Sequence, residues 1–185
     1  MISTRPILRA RAQLLIKIAA PLRTYASVGE SISSSKVFEN SPGNDVNLAE
    51  ETSSGKSIIV GVPGAFSPGC SKSHVPGYIK NSKAFGDKGY KQIFVVAVND
   101  PFVTKAWGDD LSDANGASNV RFIADPTGAF TKELDLLFDA TKVFGNERSK
   151  RYALTVEDGK ITNTFVEPDN TSVNVSDAVK VLQDI

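Results

Sequence analysis

The chain has one cysteine, one histidine, one tryptophan and one methionine in 185 residues. A lone cysteine, Cys70, excludes any disulfide within the chain, so a disulfide-stapled secreted fold and a Cys-rich metal centre are both ruled out. A lone histidine, His74, excludes a poly-His metal site and leaves one candidate for His-based catalysis. No apolar run approaches the ~20 residues of a membrane span. The body carries no clustered Lys/Arg of the kind a nucleic-acid surface needs, and no Gly-rich phosphate loop. No metal, flavin or nucleotide cofactor is therefore expected.

What is present is ordinary in bulk: 41% hydrophobic and 23% charged residues, enough for a sizeable core in one domain. The charge is unevenly placed. Residues 1–25 hold Arg5, Arg9, Arg11, Lys17 and Arg23 and no acid. With 21 basic and 21 acidic residues in all, the remainder has 16 basic against 21 acidic, a net of −5. The opening stretch also carries Leu8, Leu14, Leu15, Ile16, Ile18 and Leu22. Basic, amphipathic and acid-free, it reads as a mitochondrial transit peptide with cleavage after Tyr25. Arg9, Arg11 and Lys17 interrupt the apolar region that a secretory signal would need; a basic tail is the alternative. The expected division is a presequence over 1–25 and one domain over 26–185, located in the mitochondrial matrix. The last residues, Gln183, Asp184 and Ile185, do not resemble a peroxisomal Ser-Lys-Leu signal.

Within the domain, residues 31–35 form a Ser-rich stretch expected to be loose, and 41–44 (SPGN) a turn. Short β-branched apolar runs at 57–62 (SIIVGV), 92–98 (QIFVVAV) and 120–124 predict buried strands. A helix is expected from Cys70 to about Phe85. Asn99, Asp100 and Pro101 open another, running to about Leu111. Residues 130–138 read as helical. Glu157-Asp158-Gly159 joins strands 152–156 and 160–166 in a hairpin, and Ser176 is expected to cap a final helix. Strands alternating with helices, then an antiparallel hairpin, indicate an α/β protein with a thioredoxin-like fold: a central mixed sheet flanked by helices.

Cys70 follows the first central strand and starts a helix. In open α/β sheets ligands gather at the carboxyl ends of the strands. The thiolate is the nucleophile of cysteine chemistry, and a helix N-terminus, with unpaired N–H groups and partial positive charge, favours it. Complete ionisation raises the reactive population at most roughly thirtyfold, about 2 kcal/mol, so fast chemistry also needs donors for developing charge. The Ser67 hydroxyl and the backbone N–H groups of Gly69 and Cys70 are candidates. Gly69 admits close approach, and Pro63 and Pro68 stiffen the loop, Pro63 also screening the sulfur from water. Against this stands the plainer role of a lone cysteine as a small buried apolar residue. His74, four residues on, is either a structural hydrogen-bonding residue or the base of a Cys–His hydrolase dyad.

The segment Pro63-Gly64-Ala65-Phe66-Ser67-Pro68-Gly69-Cys70-Ser71, continuing to His74-Val75-Pro76-Gly77-Tyr78, resembles the active-site signature of peroxiredoxins, within them the type II or peroxiredoxin-5 group. Its core is Pro63, Ser67 and Cys70, with Ser67 standing for the commoner Thr. The resemblance extends over nearly all of residues 26–185. It includes 37–48, read as the family's opening hairpin, 98–103, 124–130, 144–146 and 151–154. It implies that Cys70 is the peroxidatic nucleophile, that Arg151 contacts thiolate and peroxide, and that the chain forms a homodimer with Phe144 near the interface. Arg148 also aligns with a family arginine.

The departure is the missing second cysteine. Family subgroups place a resolving Cys where Val175 or Val95 stands here, so the resemblance implies a one-Cys enzyme. Cys70 would become a sulfenic acid and be recycled by an external thiol, glutathione with glutaredoxin first and thioredoxin second. A slowly turning peroxide sensor is the rival reading.

Overall fold

The computed structural model describes residues 26–115 and 119–185. The presequence assigned to residues 1–25 lies outside them. The chain alternates strands and helices: β1 (Lys36–Glu39), β2 (Asp45–Asn47), α1 (Leu48–Glu51), β3 (Lys56–Val62), a π-helical turn (Cys70–His74), α2 (Val75–Lys80), α3 (Ser82–Asp87), β4 (Tyr90–Ala97), α4 (Pro101–Asn115), β5 (Val120–Ala124), α5 (Ala129–Glu133), β6 (Leu137–Asp139), α6 (Thr141–Phe144), β7 (Glu147–Ser149), β8 (Tyr152–Glu157), β9 (Lys160–Val166) and α7 (Ala178–Asp184). Seven strands form one sheet in the order β2-β1-β5-β4-β3-β8-β9, and β6 pairs with β7 apart from it. The central β5-β4-β3 ladders are parallel, while β8, β9, β1 and β2 pair antiparallel at the flanks. This is the expected thioredoxin-like mixed sheet.

The central strands read as continuous apolar runs because both their faces are covered. Alternation along the pleat separates two cores. Ile58, Val60 and Val62 of β3, with Ile93, Val95 and Ala97 of β4, pack against Val75, Tyr78 and Ile79 of α2, Trp107 of α4 and Val181 of α7, and Cys70 belongs to this layer. Ile59, Phe94 and Val96 face the other way, toward Leu48, Phe130, Leu134 and Tyr152. Gly61 makes room there: a Cβ on it would lie 2.0 Å from the Tyr152 ring, its partner across the β3–β8 ladder.

Four local expectations are corrected. The helix expected over 70–85 is three pieces. Pro76 has no N–H to continue an α ladder, the preceding turn is widened so that Val75 N–H bonds Cys70 O, and Asn81 closes α2 with both its backbone and side-chain N–H on Gly77 O. The helix expected over 130–138 ends at Glu133. Asp135 takes φ +54°, and the chain turns into β6 to pair with β7. The last helix is capped by Asp177, whose carboxylate accepts from Val179 and Lys180 N–H, not by Ser176. The Ser-rich stretch is tied down: Ser33 and Ser35 hydroxyls both bond the Glu133 carboxylate, and Ser31 bridges Lys160. The hairpins at 41–44 and 158–159 form as read. Asp158 (φ +49°) and Gly159 (φ +76°) supply the left-handed pair that a tight β8–β9 turn requires.

Candidate active site

Strand β3 delivers the chain to Pro63, which is buried, and the loop 64–67 turns it into the Cys70 helix. Phe66 takes φ +58°, a left-handed conformation rare for a bulky residue and concentrated where function over-determines it. Three contacts hold the loop. Ala65 N–H donates to Asn99 Oδ1 at 3.0 Å, the Ser67 hydroxyl donates to Gly64 O at 2.9 Å, and a Cβ on Gly64 would come within 3.0 Å of the Phe144 ring. Helical structure starts at Pro68, and Ser67 O accepts the first turn bond from Ser71 N–H at 2.9 Å. Ser67 is thus the N-cap, Pro68 takes the first helical position that suits it, and Cys70 is the third helical residue. The first-turn N–H groups of Gly69 and Cys70 precede any intrahelical acceptor and give this end of the helix a partial positive charge.

Cys70 is fully buried. Arg151, at the residue before β8, is brought to it across the sheet: the β3–β8 ladder sets Gly61 opposite Tyr152, so the end of β3 and the start of β8 lie together. The guanidinium is buried, with 3% of the residue exposed. Its Nε donates to Thr171 O at 2.9 Å, and its Nη2 stands 3.0 Å from where a Gly69 Cβ would be. Its Nη1 has no hydrogen-bond partner. A buried cation with a free donor beside the residue preceding a cysteine is suited to a thiolate and to an anionic oxygen developing next to it.

His74 and Tyr78 lie behind the cysteine. Tyr78 hydroxyl donates to Ser176 O at 2.7 Å, and His74 Nε2 stands 3.1 Å from the same carbonyl, which requires the Nε2–H tautomer. Burial, reinforced by the Arg151 charge, pulls the His74 pKa down to about 3. A neutral ring of such low basicity is a poor proton acceptor, and its Nδ1 has no partner. The Ser176 bond and the lowered pKa favour the structural hydrogen-bonding role over the Cys–His dyad. Arg148 is engaged by other partners: Nη1 donates to Val98 O at 2.6 Å, Nε donates to Asn146 Oδ1 at 2.8 Å, and the guanidinium lies over the Phe144 ring at 5.0 Å. Of the two other positions singled out by the missing cysteine, Val95 is buried in the core layer of Cys70, and Val175 is 37% exposed.

The structure adds partners that no local pattern announced. Trp107 Nε1–H donates to Ser71 Oγ at 2.9 Å, bracing the Cys70 helix from α4. Segment 167–177 supplies the carbonyls that hold Arg151, His74 and Tyr78. Residues 167–170, Glu-Pro-Asp-Asn, have turn-forming composition that the sequence reading passed over, and nothing in it indicates what the turn reaches. Beside the site, Phe138, Asp139, Ala140, Lys142, Val143, Phe144 and Thr171 line a mostly apolar cavity of about 430 Å³. Among the described residues, no cluster of His, Cys, Asp and Glu could hold a metal ion, and no helix is long and apolar enough to cross a membrane.

Residues 27–182 match the Redoxin family. The chain is 50% identical over 159 residues to the peroxisomal membrane associated protein 20 of Schizosaccharomyces pombe, covering 86% of this chain and 99% of that protein. Its fold is similar to the crystal structure of peroxiredoxin 5 from Alvinella pompejana, with 35% identity, a TM-score of 0.74 and coverage of 86% and 99% of the two chains. It is also similar to reduced Prx3 from Vibrio vulnificus in complex with hydrogen peroxide, with 33% identity, a TM-score of 0.77 and coverage of 86% and 99%.

Proposed function

Because this chain belongs to the Redoxin family and is a peroxiredoxin of the type II, peroxiredoxin-5-like kind, a thiol-dependent peroxidase, we propose that it reduces hydrogen peroxide and alkyl hydroperoxides by a one-cysteine cycle at Cys70. The observation that carries this reading is the buried Arg151 guanidinium set against Gly69, with one donor free, beside the chain's lone cysteine. The Cys70 thiolate attacks the terminal peroxide oxygen. An S–O bond forms, the O–O bond breaks, and the leaving oxygen takes a proton to depart as water or an alcohol. Sulfur is oxidised to the sulfenic acid. Arg151 and the first-turn N–H groups offset the negative charge that shifts onto the leaving oxygen. The Ser67 hydroxyl, donating to Gly64 O, holds the loop and leaves its oxygen lone pairs to accept from the peroxide.

The sulfenic acid then condenses with an external thiol, releasing water and forming a mixed disulfide. A second thiol attacks that disulfide, releasing Cys70. Glutathione with glutaredoxin is the proposed donor, and thioredoxin the alternative. With one cysteine in the sequence, an internal disulfide is unavailable. A homodimer is proposed through the apolar surface around Val143 and Phe144, next to the active-site loop. A mitochondrial matrix location is proposed on the basic, acid-free stretch 1–25, which precedes the Redoxin match beginning at residue 27. The name of the Schizosaccharomyces pombe relative refers to the peroxisomal membrane. Deleting residues 1–25 should leave the protein in the cytosol; continued mitochondrial import would refute the presequence.

The deciding experiment follows peroxide consumption by residues 26–185 with the glutathione–glutaredoxin and thioredoxin systems in parallel, with Cys70→Ser as control. Sustained Cys70-dependent turnover with one system names the donor. One stoichiometric oxidation without turnover in either system favours a sensor, and activity remaining in Cys70→Ser overturns the assignment of the nucleophile.

A further inference from the structure

Between β9 and α7 the chain crosses the site as a strap, residues 167–177. Its backbone is tied to the catalytic arginine at two points: Glu167 N–H donates to Arg151 O at 3.0 Å, and Arg151 N–H donates to Asn170 O at 2.8 Å. Its carbonyls then hold side chains of the site. Thr171 O accepts Arg151 Nε–H, and Ser176 O accepts the Tyr78 hydroxyl and His74 Nε2–H. The first half of the strap has its own local brace, the Asp169 carboxylate, which accepts from Thr171 and Ser172 N–H at 3.0 and 2.8 Å. The second half has one long turn bond of its own, Asp177 N–H to Asn174 O at 3.4 Å, and no comparable carboxylate brace within it.

The N–H groups of that second half are gathered by one side chain. Glu167 is buried, with 1% of the residue exposed. Its Oε1 accepts three hydrogen bonds: from Asn174 N–H at 2.7 Å, Ser176 N–H at 2.9 Å and Ser176 Oγ–H at 2.7 Å. Glu167 also continues the β8–β9 ladder directly opposite Arg151, one step beyond the Tyr152–Val166 pair. Opposite residues of an antiparallel pair project on the same face. Glu167 Oε2 and Arg151 Nη1 are both buried without a hydrogen-bond partner. A buried donor prefers the conformation that keeps its acceptor, so removing the Glu167 oxygen frees Asn174 and Ser176 to seek water and lets the strap leave its present path.

We propose that Glu167 is a positioning residue of the peroxidase reaction, its carboxyl group locking strap 167–177 in the shape that presents Thr171 O to Arg151 and Ser176 O to His74 and Tyr78. The inference rests on the peroxidase reading of Cys70. Glu167 touches neither sulfur nor peroxide in this role; it acts through Arg151. The feature required of it is an acceptor oxygen at one place, not a charge.

The test is single-turnover oxidation of Cys70 by hydrogen peroxide in the full chain, followed by the fluorescence of Trp107, which bonds the neighbouring Ser71. Amide hydrogen exchange of residues 170–177 is measured in parallel. Glu167→Ala should slow oxidation about tenfold or more and raise exchange in the strap. Glu167→Gln, whose amide oxygen can accept the same bonds, should restore most of both. Glu167→Asp keeps the charge but withdraws the oxygen, and should behave like Glu167→Ala; it also serves if the alanine variant does not fold. In an Arg151→Ala background, Glu167→Asp should add little further loss, because its effect passes through that arginine. Oxidation at the wild-type rate in folded Glu167→Asp, Gln no better than Asp, or full additivity with Arg151→Ala would each overturn the proposal. A wild-type protein whose Cys70 is not oxidised rapidly sinks the peroxidase reading instead. Strap exchange in the variants then decides the clamp by itself: unchanged exchange overturns it, and raised exchange upholds it.

Discussion

The guanidinium of Arg151 and the α-carbon of Gly69 are packed so closely that a methyl group on residue 69 would stand 3.0 Å from Nη2. Residue 69 has φ −65°, an ordinary helical value, so glycine is not required there by the backbone. It is required by what lies beside it. The residue before the cysteine is kept bare so that a buried arginine, held from behind by Thr171 O, can reach the first turn.

Gly69→Ala therefore separates folding from chemistry. Alanine is the better helix former, so thermal stability should stay level or rise slightly. The new methyl displaces Nη2, and the second-order rate of Cys70 oxidation should fall about tenfold to a hundredfold. Stopped-flow oxidation alongside a melting curve reads both. A variant as fast as wild type would mean that the arginine is not held at its present distance for a reason.

Gly61 presents the opposite case. A Cβ there would fall 2.0 Å from the Tyr152 ring, and that ring is fully buried. Gly61→Ala should destabilise by about 2–3 kcal/mol and lower Tm by roughly 5–10 °C. Gly86→Ala, in α3 with nothing within 4 Å of the new Cβ, should be neutral or stabilising. Equal melting temperatures for the two variants would contradict this packing.

His74 sets an acid limit on stability. Its pKa is about 3 in the folded protein, against an ordinary value of 6.5. Between those values the unfolded chain binds a proton that the folded chain does not, so stability falls as pH drops from 6.5 toward 3 and gains nothing further above 6.5. The loss is on the order of a few kcal/mol at the acid end. His74→Gln keeps an N–H donor for Ser176 O and removes the titration. Its urea midpoint should depend less on pH between about 4 and 6.5 than that of wild type, while peroxide consumption near neutrality is largely retained. An unaltered slope would place the acid sensitivity elsewhere.

Phe144 joins the active-site loop to the proposed dimer surface. Its ring contacts Gly64 and carries the Arg148 guanidinium, and it lines the apolar cavity beside exposed Val143. Val143→Glu, at a position 80% exposed, should leave the fold intact and shift the protein from dimer to monomer in sedimentation velocity. A dimer that persists unchanged would move the interface to another face.

Much was legible in the chain because its signals are local. Unbroken β-branched runs at 57–62, 92–98 and 120–124 mark strands covered on both faces, and all three form. The Asp158-Gly159 pair specifies its hairpin by backbone conformation alone. Pro63, Ser67 and Cys70 sit within one turn-forming segment, so their spacing is itself a piece of geometry. Where local preference was weak, neighbours overrode it. Residues 134–138 have helical composition, but Asp135 turns left-handed and β6 finds a partner in β7. Ser176 is a good capping residue diverted to the Glu167 carboxyl group, leaving the cap to Asp177.

The sequence by itself limited the candidate cysteine nucleophile to Cys70, since there is one cysteine, and marked the alternation of strands and helices, since buried runs separated by turn signals leave few topologies; the sheet order came from the structure. Only the tertiary structure decided what surrounds that cysteine. Arg151 is 81 residues away in sequence from Cys70 and arrives because β3 and β8 are neighbours in the sheet. His74 lies four residues from the sulfur, yet its hydrogen bond comes from Ser176 and its lowered pKa from burial and the Arg151 charge. Burial and long-range hydrogen bonds set those roles, and both depend on which distant segments the completed sheet brings together.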